Sequence, residues 1–160
     1  MVERHETRTG ERDRALGSRP AAGVARALDG RMAQVNAALP APEREVLALL
    51  HGGRLDYAAV AELLGVSPAA VAELAGLARL RIARAGGARC SLDLDPACRA
   101  ELVRQAARLD HEPADSSPDA SCAACALRWT AMRAGDVAYR AWEPPSASAS
   151  ALRDRMPSFE

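Results

Sequence analysis

An all-α fold is predicted, and three observations carry it. Apolar residues recur at three- and four-residue steps on both sides of Gly65-Val66-Ser67: Tyr57, Val60, Ala61 and Leu64 before it, Val71, Leu74, Ala75, Ala78 and Ile82 after it. At the tripeptide itself, the residues that end one helix and begin another stand in order. Gly65 supplies a positive φ, Ser67 is a good N-cap and Pro68 suits the first helical position. The third observation is the apolar inventory. Of 160 residues 49% are apolar, but nearly half of these are Ala, with one Phe, one Ile and two each of Trp and Tyr, enough for a small core among short helices.

In chain order, residues 1–20 alternate in charge sign (Glu3, Arg4, Glu6, Arg8, Glu11, Arg12, Asp13, Arg14) and lack large apolar residues, so a disordered arm is expected. From Ala21 to Leu39, Val24, Leu28, Met32, Val35 and Leu39 form a helical stripe, with Asp29-Gly30 as its weak spot. Pro40 ends that helix. Pro42 and Glu43 open a second, whose Val46, Leu47, Leu49 and Leu50 face a core before Gly52-Gly53 stops it. Asp56 then serves as N-cap for the first helix of a helix-turn-helix. These four helices make a first domain, residues 21–85.

Past the hinge Ala85-Gly86-Gly87, residues 86–142 read as a small helical module containing the cysteines. Residues 96–109 are helical by period, 110–119 form a polar loop, and a last helix spans 122–142 with Leu127, Trp129, Met132, Val137 and Trp142, interrupted at Gly135. Its own core is thin, so a metal or a docking surface is needed to order it. Residues 143–160, with Pro144-Pro145 and a Ser-Ala repeat, are expected to be a disordered tail.

The order Leu39-Pro40, Glu43-Arg44-Glu45-Val46-Leu47, Leu55-x-Tyr57-x-x-Val60-Ala61-x-x-Leu64-Gly65-Val66-Ser67, Val71 and Ala78-Arg79 resembles region 4 of bacterial sigma-70 family sigma factors, especially the extracytoplasmic-function type. The resemblance implies a domain that docks on the flap of RNA polymerase and lays its second helix in the major groove of the promoter minus-35 element. It places Ser67, Ala69, Ala70, Ala72 and Glu73 at the DNA-facing start of that helix, and Arg79, Arg81 and Arg84 at its far end, where they would hold phosphates. Major-groove readout needs long donors and acceptors, and here the start offers only Ser67 and Glu73. Formal net charge is zero and Lys is absent, so any electrostatic argument for nucleic acid is local. Weak, salt-dependent DNA binding with poor selectivity is expected. As a solvated helix end, the three arginines would simply complement the macrodipole.

Leu74, Leu77 and Leu80 form a second stripe at three-residue steps. Either these leucines share one wide core face with Val71 and Ile82, or they need a cover: a protein partner, a second copy of the chain, or its own C-terminal segment.

The four cysteines are Cys90, Cys98 and the pair Cys122-Ala123-Ala124-Cys125. Four thiolates close a structural zinc site, and His111 could replace Cys90 or Cys98. The pattern is similar to zinc-binding anti-sigma modules, but the His that those carry four positions before the first Cys of the pair is Pro118 here. Packed free thiols, or a redox dithiol at Cys122 and Cys125, are the other readings.

No apolar run is long enough to span a bilayer and no signal-peptide core is present, so a cytoplasmic protein is expected. His5, His51 and His111 have no catalytic context, and no enzyme is expected. The residues ahead of Leu39 are too few and too charged for the minus-10-melting domain of a complete sigma factor. Two functions fit: a region-4-like regulator engaging promoter DNA, RNA polymerase or both, and an interaction adaptor or anti-sigma-like module that has lost base readout.

Overall fold

A computed structural model describes residues 21–113 and 122–142, and all regular structure among them is helical. The arm and the tail expected to be disordered lie outside the described residues. Helix α1 covers residues 21–27 and α2 covers Met32–Ala37, where the stripe from Ala21 to Leu39 had predicted a single helix. The break falls at the weak spot. Gly30 takes φ +71°, a left-handed turn that cannot continue a right-handed helix, and the turn lets both Leu28 and Met32 point into the core.

Helix α3, Ala41–Leu47, starts as expected with Pro42 in its first turn. It does not simply stop at the glycine pair but widens into a π-helical turn, Ala48–Gly52. Such turns carry wider spacing and often mark a special side chain. Here that side chain is His51, discussed below.

Helices α4, Tyr57–Leu64, and α5, Pro68–Ala85, form the helix-turn-helix. Asp56 caps α4 by accepting from the Ala59 N–H at 2.8 Å, and Ser67 caps α5 by accepting from the Ala70 N–H at 3.2 Å. Gly65 stops α4 at φ +66°, and the chain turns by 100° between the two helices, inside the range for this motif. No single helix among the described residues is long and apolar enough to cross a membrane.

After α5 the chain runs extended over residues 88–95 with period-two alternation. Ala88, Cys90, Leu92 and Leu94 pack on the core, while Arg89, Ser91, Asp93 and Asp95 are exposed. Helix α6, Pro96–Leu109, and helix α7, Ala123–Ala141, then return along α5. Two glycines let them come close. A Cβ on Gly76 of α5 would lie 3.0 Å from Leu102 of α6, and a Cβ on Gly135 of α7 would collide with the backbone carbonyl of Arg79. Gly135 therefore does not interrupt α7; it is the point where α7 crosses α5.

The result is one continuous core. Leu102, Ala106, Met132, Ala138 and Tyr139 from the cysteine-bearing segment are buried in the same cluster as Val46, Leu47, Val60, Val71, Ala75 and Ile82 from the helix-turn-helix. Full burial of the leucine, valine, isoleucine and methionine side chains among these stabilises by about 1.5–3 kcal/mol each. That is how a segment with a thin core of its own is ordered: α5 is the surface it docks on.

Candidate functional site

Two groups of polar side chains are built at the seams of this bundle. The first sits where α6 and α7 begin. Asp95 caps α6 and accepts from the Cys98 N–H at 2.8 Å, which fixes Cys98 in the first turn. These same hydrogen bonds to its carboxylate hold Asp95 below the usual range. Cys122 is the N-cap of α7, its Sγ accepting from the Cys125 N–H at 3.4 Å, and Cys125 follows one turn on. The three sulfurs form a closed triangle, 3.8 Å from Cys98 to Cys122, 3.3 Å from Cys122 to Cys125 and 3.5 Å from Cys125 to Cys98. Three cysteines thus stand at metal-ligating distance from one another.

The thiols differ in acidity. The N–H of Cys125 and the start of α7 pull the exposed Cys122 thiol below its ordinary value. Cys125 is pushed up to about 12, first by burial and then by its two neighbouring thiols. Without a cation, three thiolates do not coexist at this spacing. One turn past Cys125, the buried Arg128 donates through Nε to the Ser91 carbonyl at 3.1 Å and through Nη2 to the Asp93 carbonyl at 3.0 Å, fastening the extended segment. Its Nη1 lies 3.9 Å from the Cys125 Sγ.

Two expected ligands stay outside this group. Cys90 lies on the inward side of the extended segment, where burial raises its thiol, and is not part of the triangle. His111 lies past the far end of α6, and the helical stretch from Cys98 to Leu109 alone carries it roughly 16 Å away along the axis. It cannot substitute for a cysteine here. Its φ of +59° marks the turn that leaves α6.

The second group is centred on Arg79, which is fully buried. Its guanidinium holds both oxygens of Asp110 at 2.8 and 2.5 Å and reaches Oδ1 of Asp136 at 3.0 Å. The Tyr57 hydroxyl donates to Asp110 at 2.6 Å, and Arg140 donates to Asp136 at 2.7 Å. From the π-helical turn, His51 sets its Nε2 3.2 Å from Arg79 Nη2. Arg79 can only donate, so Nε2 accepts and the ring is neutral. Burial first, then the Arg79 charge, drags His51 down to about 4. Burial works to raise Asp110 and to lower Arg79, but their mutual hydrogen bonds and charges overcome it, so Asp110 sits low and Arg79 high. His51, Asp110 and Asp136 lie close enough to ligate a metal, yet the guanidinium already occupies the place a cation would take. The group is an ion-paired latch joining α5 to the end of α6 and to α7.

That latch corrects the role expected for Arg79, which has no surface to offer a phosphate. Ala72, expected on the DNA-facing side, is buried too. Glu73 is bound by Arg99 at 2.5 Å, and Arg81 by Glu43 at 3.0 Å. Burial raises the Glu43 carboxyl, and Arg81 opposes that shift. Ser67 and Ala69 are exposed, Ala70 is half-buried, and Arg84 is exposed at the other end of α5. Of the leucine stripe, Leu80 is fully buried while Leu74 and Leu77 are half-buried against the core. The cover for α5 is the chain's own C-terminal segment. Residue types alone hid the latch, since Arg79, Asp110 and Asp136 are far apart in sequence; the signal available was Arg79 falling on the Ala75, Ile82 side of α5. The non-helical stretch at residues 88–95 was likewise not foreseen in a module expected to be helical; the available signal was the alternation of Cys90, Leu92 and Leu94.

Comparison with models of protein families, with curated proteins and with solved structures gave no match.

Proposed function

We propose that the chain is a region-4-like helix-turn-helix protein that acts in transcription through a protein partner, RNA polymerase or a sigma or anti-sigma protein, and does not read promoter sequence by itself. The observation that carries this reading is the full burial of Arg79 between Asp110 and Asp136. It supports a second helix that has become the centre of a bundle. Base readout uses long side chains near the start of a recognition helix, and the exposed start of α5 has Ser67, engaged as a cap, and alanines. Among the three arginines, Arg84 remains for phosphate. Zinc at the cysteine triangle would serve this architecture by tying the first turn of α6 to the first turn of α7, with both helices held over α5.

The test is a titration of reduced, full-length protein against labelled duplex from its own upstream region at two salt concentrations, followed by size-exclusion with purified core polymerase and with sigma-bearing holoenzyme. Binding to DNA is expected to be weak, insensitive to sequence and lost as salt rises, with co-elution on one of the polymerase forms. Tight binding of the chain alone to one defined site at physiological salt overturns the reading. So does the absence of any association with polymerase, with a sigma factor or with an anti-sigma protein when each is tested in the same way.

A further inference from the structure

The cysteine triangle and Arg128 pose one electrostatic question together. Arg128 is a buried guanidinium that bonds two backbone carbonyls and faces the Cys125 and Cys98 sulfurs; among the described residues no carboxylate is in contact with it, Asp95 acting on it only from a longer range. A buried cation with no anion in contact is costly, and three neutral thiols do not supply one. The N-termini of α6 and α7 converge on the same three sulfurs and add further positive potential. The site is built for negative charge.

We propose that Cys98, Cys122 and Cys125 bind one thiophilic divalent cation of the zinc class as three thiolates, with Arg128 as countercharge and a neutral, exchangeable ligand from solution in the fourth position. The size is right. Metal–sulfur bonds of about 2.3 Å put the sulfurs of a tetrahedral site about 3.8 Å apart. Edges of 3.3, 3.5 and 3.8 Å place the ion to one side of the sulfur plane, with a fourth direction free. The charge is right as well. Three thiolates and one divalent ion sum to one negative charge, which the Arg128 guanidinium balances; a fourth thiolate would leave an excess. Among the described residues these three are also the only His, Cys, Asp or Glu donors close enough together at this site. Binding is not redox chemistry: three S–H bonds ionise, three metal–sulfur bonds form, and the protons pass to solvent, fewer by whatever fraction of Cys122 is already thiolate. An open position distinguishes this centre from the closed four-ligand site that the cysteine count predicts. It makes the ion exchangeable and lets a small donor bind it.

This inference does not rest on the transcription reading, and its test is separate. Reduced full-length protein is titrated anaerobically with Co²⁺ alone, following sulfur-to-cobalt charge transfer, d–d bands and proton release, and imidazole is then added to the loaded protein. One ion per chain is expected, displaced by Zn²⁺, with d–d bands that shift on adding imidazole while cobalt stays bound. Cys90→Ser should bind as the parent does, Arg128→Met should bind roughly 10–100-fold more weakly, and Cys98→Ser should lose more than that. If Cys98→Ser fails to fold, proton release and the imidazole shift in the parent protein decide. No cobalt binding, loss of binding in Cys90→Ser, or bands that ignore imidazole would each overturn the proposal.

Discussion

Replacing Arg79 with Met separates the two roles open to this residue. The substitution keeps length and removes the charge, leaving Asp110 and Asp136 facing each other without their shared cation. In the structure Arg79 makes two bonds to Asp110 and one to Asp136, at 0% exposure of its own side chain and 9% and 7% of theirs. Removing one partner of such a buried network costs about 3–5 kcal/mol, because the orphaned charges stay behind. With about 2–4 °C per kcal/mol for a chain of this size, Tm should fall by roughly 6–20 °C. Thermal and urea unfolding followed by circular dichroism at neutral pH measures this. Adding Asp110→Asn and Asp136→Asn to Arg79→Met should recover part of the loss, since the uncompensated charges are then gone. If Arg79 were instead a phosphate contact, the single variant would keep its stability and lose DNA affinity, with a shallower salt slope. A stable Arg79→Met protein with weakened DNA binding would refute the burial argument.

Three further outcomes follow from the same geometry. His51 has a folded value near 4 against 6.5 free, so between these pH values the unfolded chain takes up the proton first; stability should fall as pH drops from 6.5 to 4, by up to about 3 kcal/mol, and His51→Gln should flatten this slope in urea melts at stepped pH. Asp110, held low in the fold, loses its contribution only below that window. Gly135→Ala should destabilise by about 3 kcal/mol or more because the new methyl meets the Arg79 carbonyl, whereas Gly23→Ala, with nothing within 4 Å, should be neutral or stabilising by about 0.5–1 kcal/mol; comparing their melting temperatures checks the crossing of α7 on α5. Ser67→Ala should cost about 1 kcal/mol through loss of the cap, visible as a lower urea midpoint, and should leave DNA binding near the parent value.

Local rules account for what could be seen in advance. Asp56, Gly65, Ser67 and Pro68 act over a few residues of backbone, through a cap, a left-handed φ or a preset φ, so the helix-turn-helix and its boundaries are written where they occur. The same is true of the all-helical class and of the start of α6, because apolar period and capping are short-range. The break at Gly30 was marked as a weak spot, but whether Asp29-Gly30 bends a helix or is merely tolerated depends on where Leu28 and Met32 find a core. Tertiary packing decided that.

The two candidate sites divide along the same line. A Cys-x-x-Cys pair announces two neighbouring sulfurs by spacing alone, and the sequence could go no further than offering Cys90, Cys98 or His111 to complete them. Folding chose Cys98, since the starts of α6 and α7 meet while Cys90 is turned inward on the extended segment and His111 is carried to the other end of α6. For α5 the sequence established an amphipathic helix with arginines toward its end. Only the tertiary structure settled that Arg79 points inward, because a long charged side chain is as compatible with solvent as with two distant carboxylates, and Asp110 and Asp136 reach it only once α6 and α7 have packed on α5.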